Sequence, residues 1–283
     1  MQVQLTLGDG SGNVCLLDPN FALDDSEVTK EVPVQVIPGR HGGVVDPKAI
    51  RIEPRVLSAS ATYEGTNKKD VDKIVEGLRG LLFSTDLMWL KPYSDADRFI
   101  RVTCTRVSDN YHRGRFGGRL VTITAQFEAH DPFWYGLELD TKQLSLSIPA
   151  GQSVERTINC RGSVLIDPTL WIKGPVTRPV IRNLTTGTEI KFRGTLSSSQ
   201  YLIVDCFRFP AVIANTLPSG SLKKGFPNPI LDVQGTNALN QIEDSYLIDG
   251  FYCTPGDNVL EFSHGGSSSA TFSSAIIYRP RWY

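Results

Sequence analysis

The sequence has almost no net charge, few histidines, no long apolar run and no paired-cysteine motif, and each lack closes off a class of function. Lys and Arg number 29 against 30 Asp and Glu, for a formal net charge of −1 over 283 residues. A protein that binds a polyanion along its whole surface carries a basic excess, so none is expected to do so here. Local basic spots do occur, at Arg113, Arg115 and Arg119, but Asp109 and Glu128 lie close to them in sequence. No apolar stretch reaches the ~18 residues that a transmembrane helix needs, and no signal-peptide pattern opens the chain. The five cysteines, Cys15, Cys104, Cys160, Cys206 and Cys253, are odd in number and widely spaced. With no C-x-x-C among them, buried free thiols in a reduced protein are expected rather than a disulfide framework.

Catalytic patterns are equally scarce. The four histidines, His41, His112, His130 and His264, have no second His or Cys at metal-ligand spacing. Gly39-Arg40-His41-Gly42-Gly43 has the look of an esterase oxyanion loop, yet the G-x-S-x-G nucleophile turn that must accompany it is missing. Gly220 to Gly225 lacks the G-x-x-x-x-G-K-[ST] order of a phosphate-binding loop. The carboxylate pairs Asp24/Asp25, Asp95/Asp97 and Glu243/Asp244 sit in polar segments, where solvated or capping roles are the rule. The expectation is therefore a protein without catalytic residues, metal or cofactor.

What is present is strand pattern. Gln2 to Leu7 alternates, Val34 to Ile37 reads as a strand, and Ile50 to Tyr63 reads as a long strand in which Pro54 implies an edge or a bulge. Trp89 to Tyr93 and Phe99 to Cys104 follow as strands. Tyr111 to Gly118 reads as a charged, glycine-rich loop. Leu120 to Glu128 alternates most cleanly, with Val121, Ile123, Ala125 and Phe127 on one parity. One helix stands out: Val71, Ile74, Val75, Leu78, Leu81 and Leu82 recur at steps of three and four, after a cap at Thr66 or Asn67.

A domain boundary is expected near residues 136–145. Before it the pattern is α+β; after it come only short strand candidates separated by turns, the signature of a β-sandwich. Residues 208–251, with Pro210, Pro218, Pro227 and Pro229, read as an insertion with a short helical piece near Ala238–Asp244. The expected division is 1–136 and 137–283. Phe133-Trp134-Tyr135 fits either a plug at the domain junction or a sugar-stacking platform, while Trp171 lies in an apparent core strand and is expected to be buried.

The order of these pieces resembles a known family. Ile37 to Val45, the strand Ile50 to Tyr63, the single helix Asp70 to Phe83, and Val121 to Glu128 ending in Ala129-His130-Asp131-Pro132-Phe133-Trp134-Tyr135 look like the first half of the distal tail proteins of siphophages. Pro179 to Gly187, Glu189 to Phe192, Tyr201 to Asp205 and the turn Pro255-Gly256-Asp257-Asn258 look like its second half. Residues 208–251 depart from that pattern.

The resemblance implies a mainly β protein: an N-terminal α+β ring-forming domain of strands plus one helix, then a C-terminal galectin- or carbohydrate-binding-module-like β-sandwich. It implies a hexameric ring hub at the phage tail tip, assembled in the host cytoplasm. Its partners would be the tail tube protein, the tail-tip hub protein and the tape measure protein, with DNA only as cargo through the lumen. A near-neutral charge suits such a lumen. Arg40, His41, Arg113, Arg115, Phe133 and Trp134 are the candidate assembly contacts. A host glycan is a further candidate ligand of the sandwich, and a carbohydrate-binding adhesion module is the alternative reading.

Overall fold

The structure, a computed structural model, describes residues 4–7, 14–16, 22–25, 30–31, 34–36, 43–45, 51–83, 88–92, 97–112, 116–207, 211–215, 235–243 and 250–283. These fall into two compact units, 1–134 together with Tyr283, and 135–282. The protein is mainly β with one described α-helix.

In chain order the first unit contains β1 (Gln4–Leu7), β2 (Val14–Leu16), β3 (Ala22–Asp25), β4 (Lys30–Glu31), β5 (Val34–Val36), β6 (Gly43–Val45), β7 (Arg51–Ile52) and β8 (Arg55–Glu64). Then come α1 (Lys68–Leu82), β9 (Met88–Lys91), β10 (Arg98–His112) and β11 (Leu120–Ala129). Its main sheet runs β2-β1-β9-β10-β11-β8-β3, and β4 with β7 and β5 with β6 form separate pairs. The strict alternation of β11 buries Val121, Ile123, Ala125, Phe127 and Ala129 on one face. α1 covers part of that face, packing Val71 and Val75 on Val121 and Ile123, with Tyr63, Leu78, Val107 and Tyr111 around them. Asn67 caps the helix, its Oδ1 accepting from the Asp70 backbone N–H at 3.1 Å.

Two expectations are corrected here. Pro54 lies neither on an edge strand nor in a bulge: it falls in the two-residue gap between β7 and β8, outside any ladder, and β8 pairs on both sides with β11 and β3. The strand at Phe99 does not stop at Cys104 but runs to His112, crossing an irregularity between Cys104 and Arg106. That offset breaks the period-2 pattern, which is why the sequence reads as a strand and then a loop.

The second unit follows β12 (Trp134–Gly136) with β13 (Asp140–Ile148), β14 (Ser153–Cys160), β15 (Thr169–Lys173), β16 (Val176–Thr177), β17 (Val180–Asn183), β18 (Thr188–Lys191) and β19 (Thr195–Leu196). β20 (Tyr201–Asp205), β21 (Ala211–Ala214), β22 (Thr236–Asn237), β23 (Gly256–Ser263), β24 (Ala270–Tyr278) and β25 (Arg281–Trp282) complete it. A six-stranded sheet, β13-β24-β15-β20-β21-β22, and a four-stranded one, β14-β23-β17-β18, contribute to one hydrophobic core. Leu146, Leu170, Ile172, Leu202, Val204 and Ile276 enter it from the first sheet; Ile158, Ile181, Ile190, Leu260 and Phe262 enter from the second. Two sheets sharing a core of inward-alternating residues is a β-sandwich.

The proline-rich stretch is not only an insertion. It supplies β21 and β22 to the six-stranded sheet, and the short helical piece is a single 3-10 turn at Leu239–Gln241. Trp171 is a further correction. Leu170 and Ile172 point into the core, so Trp171 stands on the opposite side of the sheet and is only half-buried. Cys104, Cys160, Cys206 and Cys253 are buried free thiols. The side chain of Cys15 lies outside the described residues.

Candidate assembly surfaces

The middle rows of the first unit's sheet face opposite α1 carry short polar side chains without charge. On β8 the face carries Ser58, Ser60 and Thr62; on β11, Thr122, Thr124 and Gln126; on β10, Ser108 and Asn110. Thr62 stands opposite Thr122, Ser60 opposite Thr124, and Ser58 opposite Gln126. The Thr62 and Thr122 hydroxyls hydrogen-bond at 3.0 Å, and His112 Nε2 reaches the Thr122 hydroxyl at 2.9 Å. Charges stand on the same face: Glu64 at the end of β8, Glu128 at the end of β11, and, in the row of Ser58 and Gln126, Asp24 of β3 opposite Ser58 and Arg106 of β10 opposite Gln126. Between those charges the face offers short neutral hydroxyls and amides.

The α1 side of the same sheet is charged and paired. Arg79 forms an ion pair with Asp109. The Tyr111 hydroxyl donates to Asp72 at 2.6 Å, and that bond, with some desolvation and the charges of Asp72 and Asp109, pushes its pKa up to about 12. These contacts tie the helix to β10.

Of the six candidate contact residues, Arg40, His41, Arg113 and Arg115 lie outside the described residues. Their flanks are described: β5 and β6 pair Val36 with Gly43 around the first loop, and Gly118 N–H donates to His112 O at 3.3 Å across the second. Phe133 is half-buried and meets Tyr283 edge to face, with ring centroids 5.8 Å apart. Trp134 is buried, with 8% of its surface exposed.

In the second unit the polar chemistry is structural. Asp140 accepts from Tyr278 Oη at 2.6 Å and pairs with Lys142 Nζ at 3.1 Å and Arg161 Nε at 3.3 Å. Burial works to raise its pKa, but these partners win and hold it below the usual carboxylate range. Arg279 is buried, donates to the backbone oxygens of Gly136 and Leu137, and is pulled down to about 10 by desolvation. Arg281 reaches Asp167 at 2.8 Å. Sequence reading gave no weight to these two arginines, since nothing in their local pattern marks them as buried. Among the described residues, no cluster of His, Cys, Asp and Glu is arranged to hold a metal ion.

No protein-family model matches the sequence, and no curated protein matches it. The fold does have solved counterparts. The chain is similar to the SPP1 Dit protein, described as a paradigm of the hub adsorption apparatus in Gram-positive-infecting phages. The identity is 16%, the match covers 99% of both chains, and the TM-score is 0.63. It is also aligned with a chain of the phage P2 baseplate in its calcium-activated conformation, at 11% identity over 97% of this chain and 98% of that one, with a TM-score of 0.38. The likeness to the SPP1 Dit protein, end to end in both chains, shows that the fold is Dit-like.

Proposed function

We propose that the chain is a non-catalytic structural hub of a long-tailed phage, located at the tail tip and closing on itself as a hexameric ring. Residues 1–136 form the ring and residues 137–283 the sandwich domain. One face of the ring meets the tail tube, the other the tail-tip hub protein, and the lumen passes the tape measure protein and then DNA. The observation that carries this reading is the fold match to the SPP1 Dit protein over 99% of both chains.

The neutral sheet face supports it. A conduit for DNA is best lined with groups that neither bind phosphate nor repel it, because each lysine or arginine contact with phosphate adds salt-dependent affinity. The rows built from Ser60, Thr62, Thr122 and Thr124 meet that requirement, and they are assigned to the lumen wall. A cyclic ring also needs heterologous contacts between neighbouring copies. Arg40, His41, Arg113, Arg115 and Phe133 are the side chains assigned to them; Trp134, being buried, acts by fixing the backbone beside Phe133.

Native mass spectrometry and negative-stain imaging of the full-length protein test the reading. The expected result is a six-fold ring with an open centre. A protein that remains monomeric, both alone and co-expressed with tube and tip proteins, overturns it.

A further inference from the structure

Two of the buried thiols lie side by side in the sandwich core, and the hub reading makes no use of them. Cys160 closes β14, where the ladder sets it opposite Gly256 of β23. Cys253 precedes that glycine in the chain, and its N–H and carbonyl both pair with Ile166, at 2.8 and 2.9 Å. Both side chains enter the core, with 2% and 0% of their surface exposed. There the two thiols hydrogen-bond directly to one another. Asn183 Nδ2 donates to Cys253 Sγ at 3.9 Å and helps to fix it in place. Backbone hydrogen bonds thus hold both positions while their sulfurs stay in contact.

The pair is asymmetric. The Cys160 thiol is drawn below its ordinary value, first by the hydrogen bond from Cys253, against the opposing effect of burial. Cys253 is pushed well up, by its part in that bond and by burial. One sulfur is therefore the readier thiolate, and the other stays protonated beside it. Thiol oxidation needs that division of roles, a nucleophile and a resolving thiol. Cys160 is also the one nearer to solvent, since it ends its strand and the next residue, Arg161, is exposed.

Other uses of the pair fit poorly. Among the described residues no group of His, Cys, Asp and Glu is arranged to hold a metal ion, so the thiols belong to no ligand set. Their burial admits no substrate of any size; a reagent that reaches them is about as small as water. Cys206 shares the same core, but Cys160 is the thiol that hydrogen-bonds to Cys253.

We propose that Cys160 and Cys253 are a site of oxidative cross-linking, at which a peroxide oxidises Cys160 and Cys253 then closes a disulfide within the sandwich core. In the first step the Cys160 thiolate attacks one peroxide oxygen and the O–O bond breaks. The sulfenic acid forms, and the departing hydroxide takes up the proton that the thiol gave up on ionising. In the second step the Cys253 sulfur attacks the Cys160 sulfur and the S–O bond breaks. The hydroxyl leaves with the Cys253 proton as water. Two thiols are oxidised and one hydrogen peroxide is reduced to two waters. The sulfurs, already in contact, close to an S–S bond of ~2 Å by rotation about the two Cα–Cβ bonds. The occasion for this step rests on the hub reading: a tail protein assembles in a reducing cytoplasm and then works in oxidising surroundings. A bond between two distant chain positions restricts the unfolded chain, so the released particle carries a sandwich that is harder to unfold.

The test exposes the reduced full-length protein to graded hydrogen peroxide, read by intact mass and by peptide mapping without reductant. The expected product is lighter by two hydrogens and yields one bridged peptide pair, holding Cys160 and Cys253. Its melting temperature should be higher by about 3 °C or more, and a thiol reductant should reverse both changes. C160S should form no bridge. C253S should stop at the sulfenic acid, which a 1,3-diketone traps on Cys160. Mapping the wild type needs no variant, so misfolding of a serine variant does not blur the outcome. A wild type that gains no bridge under peroxide, or whose bridge joins another pair such as Cys206 and Cys253, overturns the proposal. The bond forms within one chain, so a bridged protein that never makes a ring would sink the hub reading and leave the cross-link standing.

Discussion

Asn183 Nδ2 donates to Asn258 Oδ1 at 3.1 Å in the interior of the second unit, and neither residue exposes any surface. Around this bond the polar groups are matched in full. Asn258 Oδ1 also accepts from Thr254 N–H at 3.0 Å, while its amide donates to Thr254 O at 2.8 Å. Asn183 Nδ2 donates to Tyr252 O at 3.0 Å, and its Oδ1 accepts from Thr185 N–H at 3.0 Å. Two turns, 183–187 and 252–258, are held to one another through two side chains. Truncating Asn258 to alanine strands several buried groups and is expected to cost about 2–3 kcal/mol. Urea unfolding of N183A, N258A and the double variant checks this. The double variant should be clearly more stable than the sum of the single losses implies, because the two residues share partners.

The Asp140 cluster makes stability depend on pH with a definite sign. Its carboxyl is held below its ordinary range in the folded protein, by Tyr278, Lys142 and Arg161 against the opposing effect of burial. A depressed folded pKa means that the stabilisation is complete above the unfolded carboxylate value of about 4. It is then lost as pH falls through the folded value. Asp140→Asn is therefore expected to be less stable than the wild type at pH 7 by about 1–3 kcal/mol. That gap should shrink in acid and close once Asp140 is protonated in the folded protein as well. A gap that stays constant from pH 7 to acid would show that the charge of Asp140 plays no part.

Gly174 marks a close backbone approach. Its N–H donates to Gln200 O at 3.0 Å, and a Cβ placed on it would lie 2.3 Å from Ser197 O and 2.6 Å from Leu196 O. These are backbone atoms and cannot swing aside. Gly174→Ala must part the β15–β16 turn from the β19–β20 turn, at an expected cost of about 2–4 kcal/mol. Thermal unfolding measures it, and a melting temperature equal to that of the wild type would refute the close approach.

The sequence made some of this legible and hid the rest for physical reasons. Periodicity exposed α1 and β11, because each has one face in a core and one face out. The PGDN turn at 255–258 was visible as a motif, but its mate at Asn183 was not, since the pairing spans 75 positions. β21 and β22 escaped notice because they are short and lie in a proline-rich stretch. Trp171 was misread because its size suggested burial, although its strand alternates: Leu170 and Ile172 are the core, while Trp171 shares its outward parity with Thr169 and Lys173. The run of Ser and Thr on β8 and β11 was visible only as polar alternation. That its middle rows form one uncharged patch, with Asp24 and Arg106 in the neighbouring row of Ser58 and Gln126, emerges from the register of the strands.

That surface yields the sharpest test of the proposed ring. Thr124 and Ser60 stand opposite one another on the neutral face, in the middle of their strands. Replacing Thr124 with lysine puts a solvated side chain on an open sheet face, so folding stability should change by no more than about 0.5 kcal/mol. In a closed ring, however, the substitution repeats in every copy and creates a belt of positive charge around the lumen. Short duplex DNA should then be retained by rings of T124K and not by wild-type rings, and retention should fall steeply as salt rises from 50 to 200 mM. A lysine on the outside of a ring would be spread over a wide perimeter and would not concentrate on one DNA axis. Rings of T124K that ignore DNA at low salt would therefore place this sheet face outside the channel, even with the six-fold assembly intact.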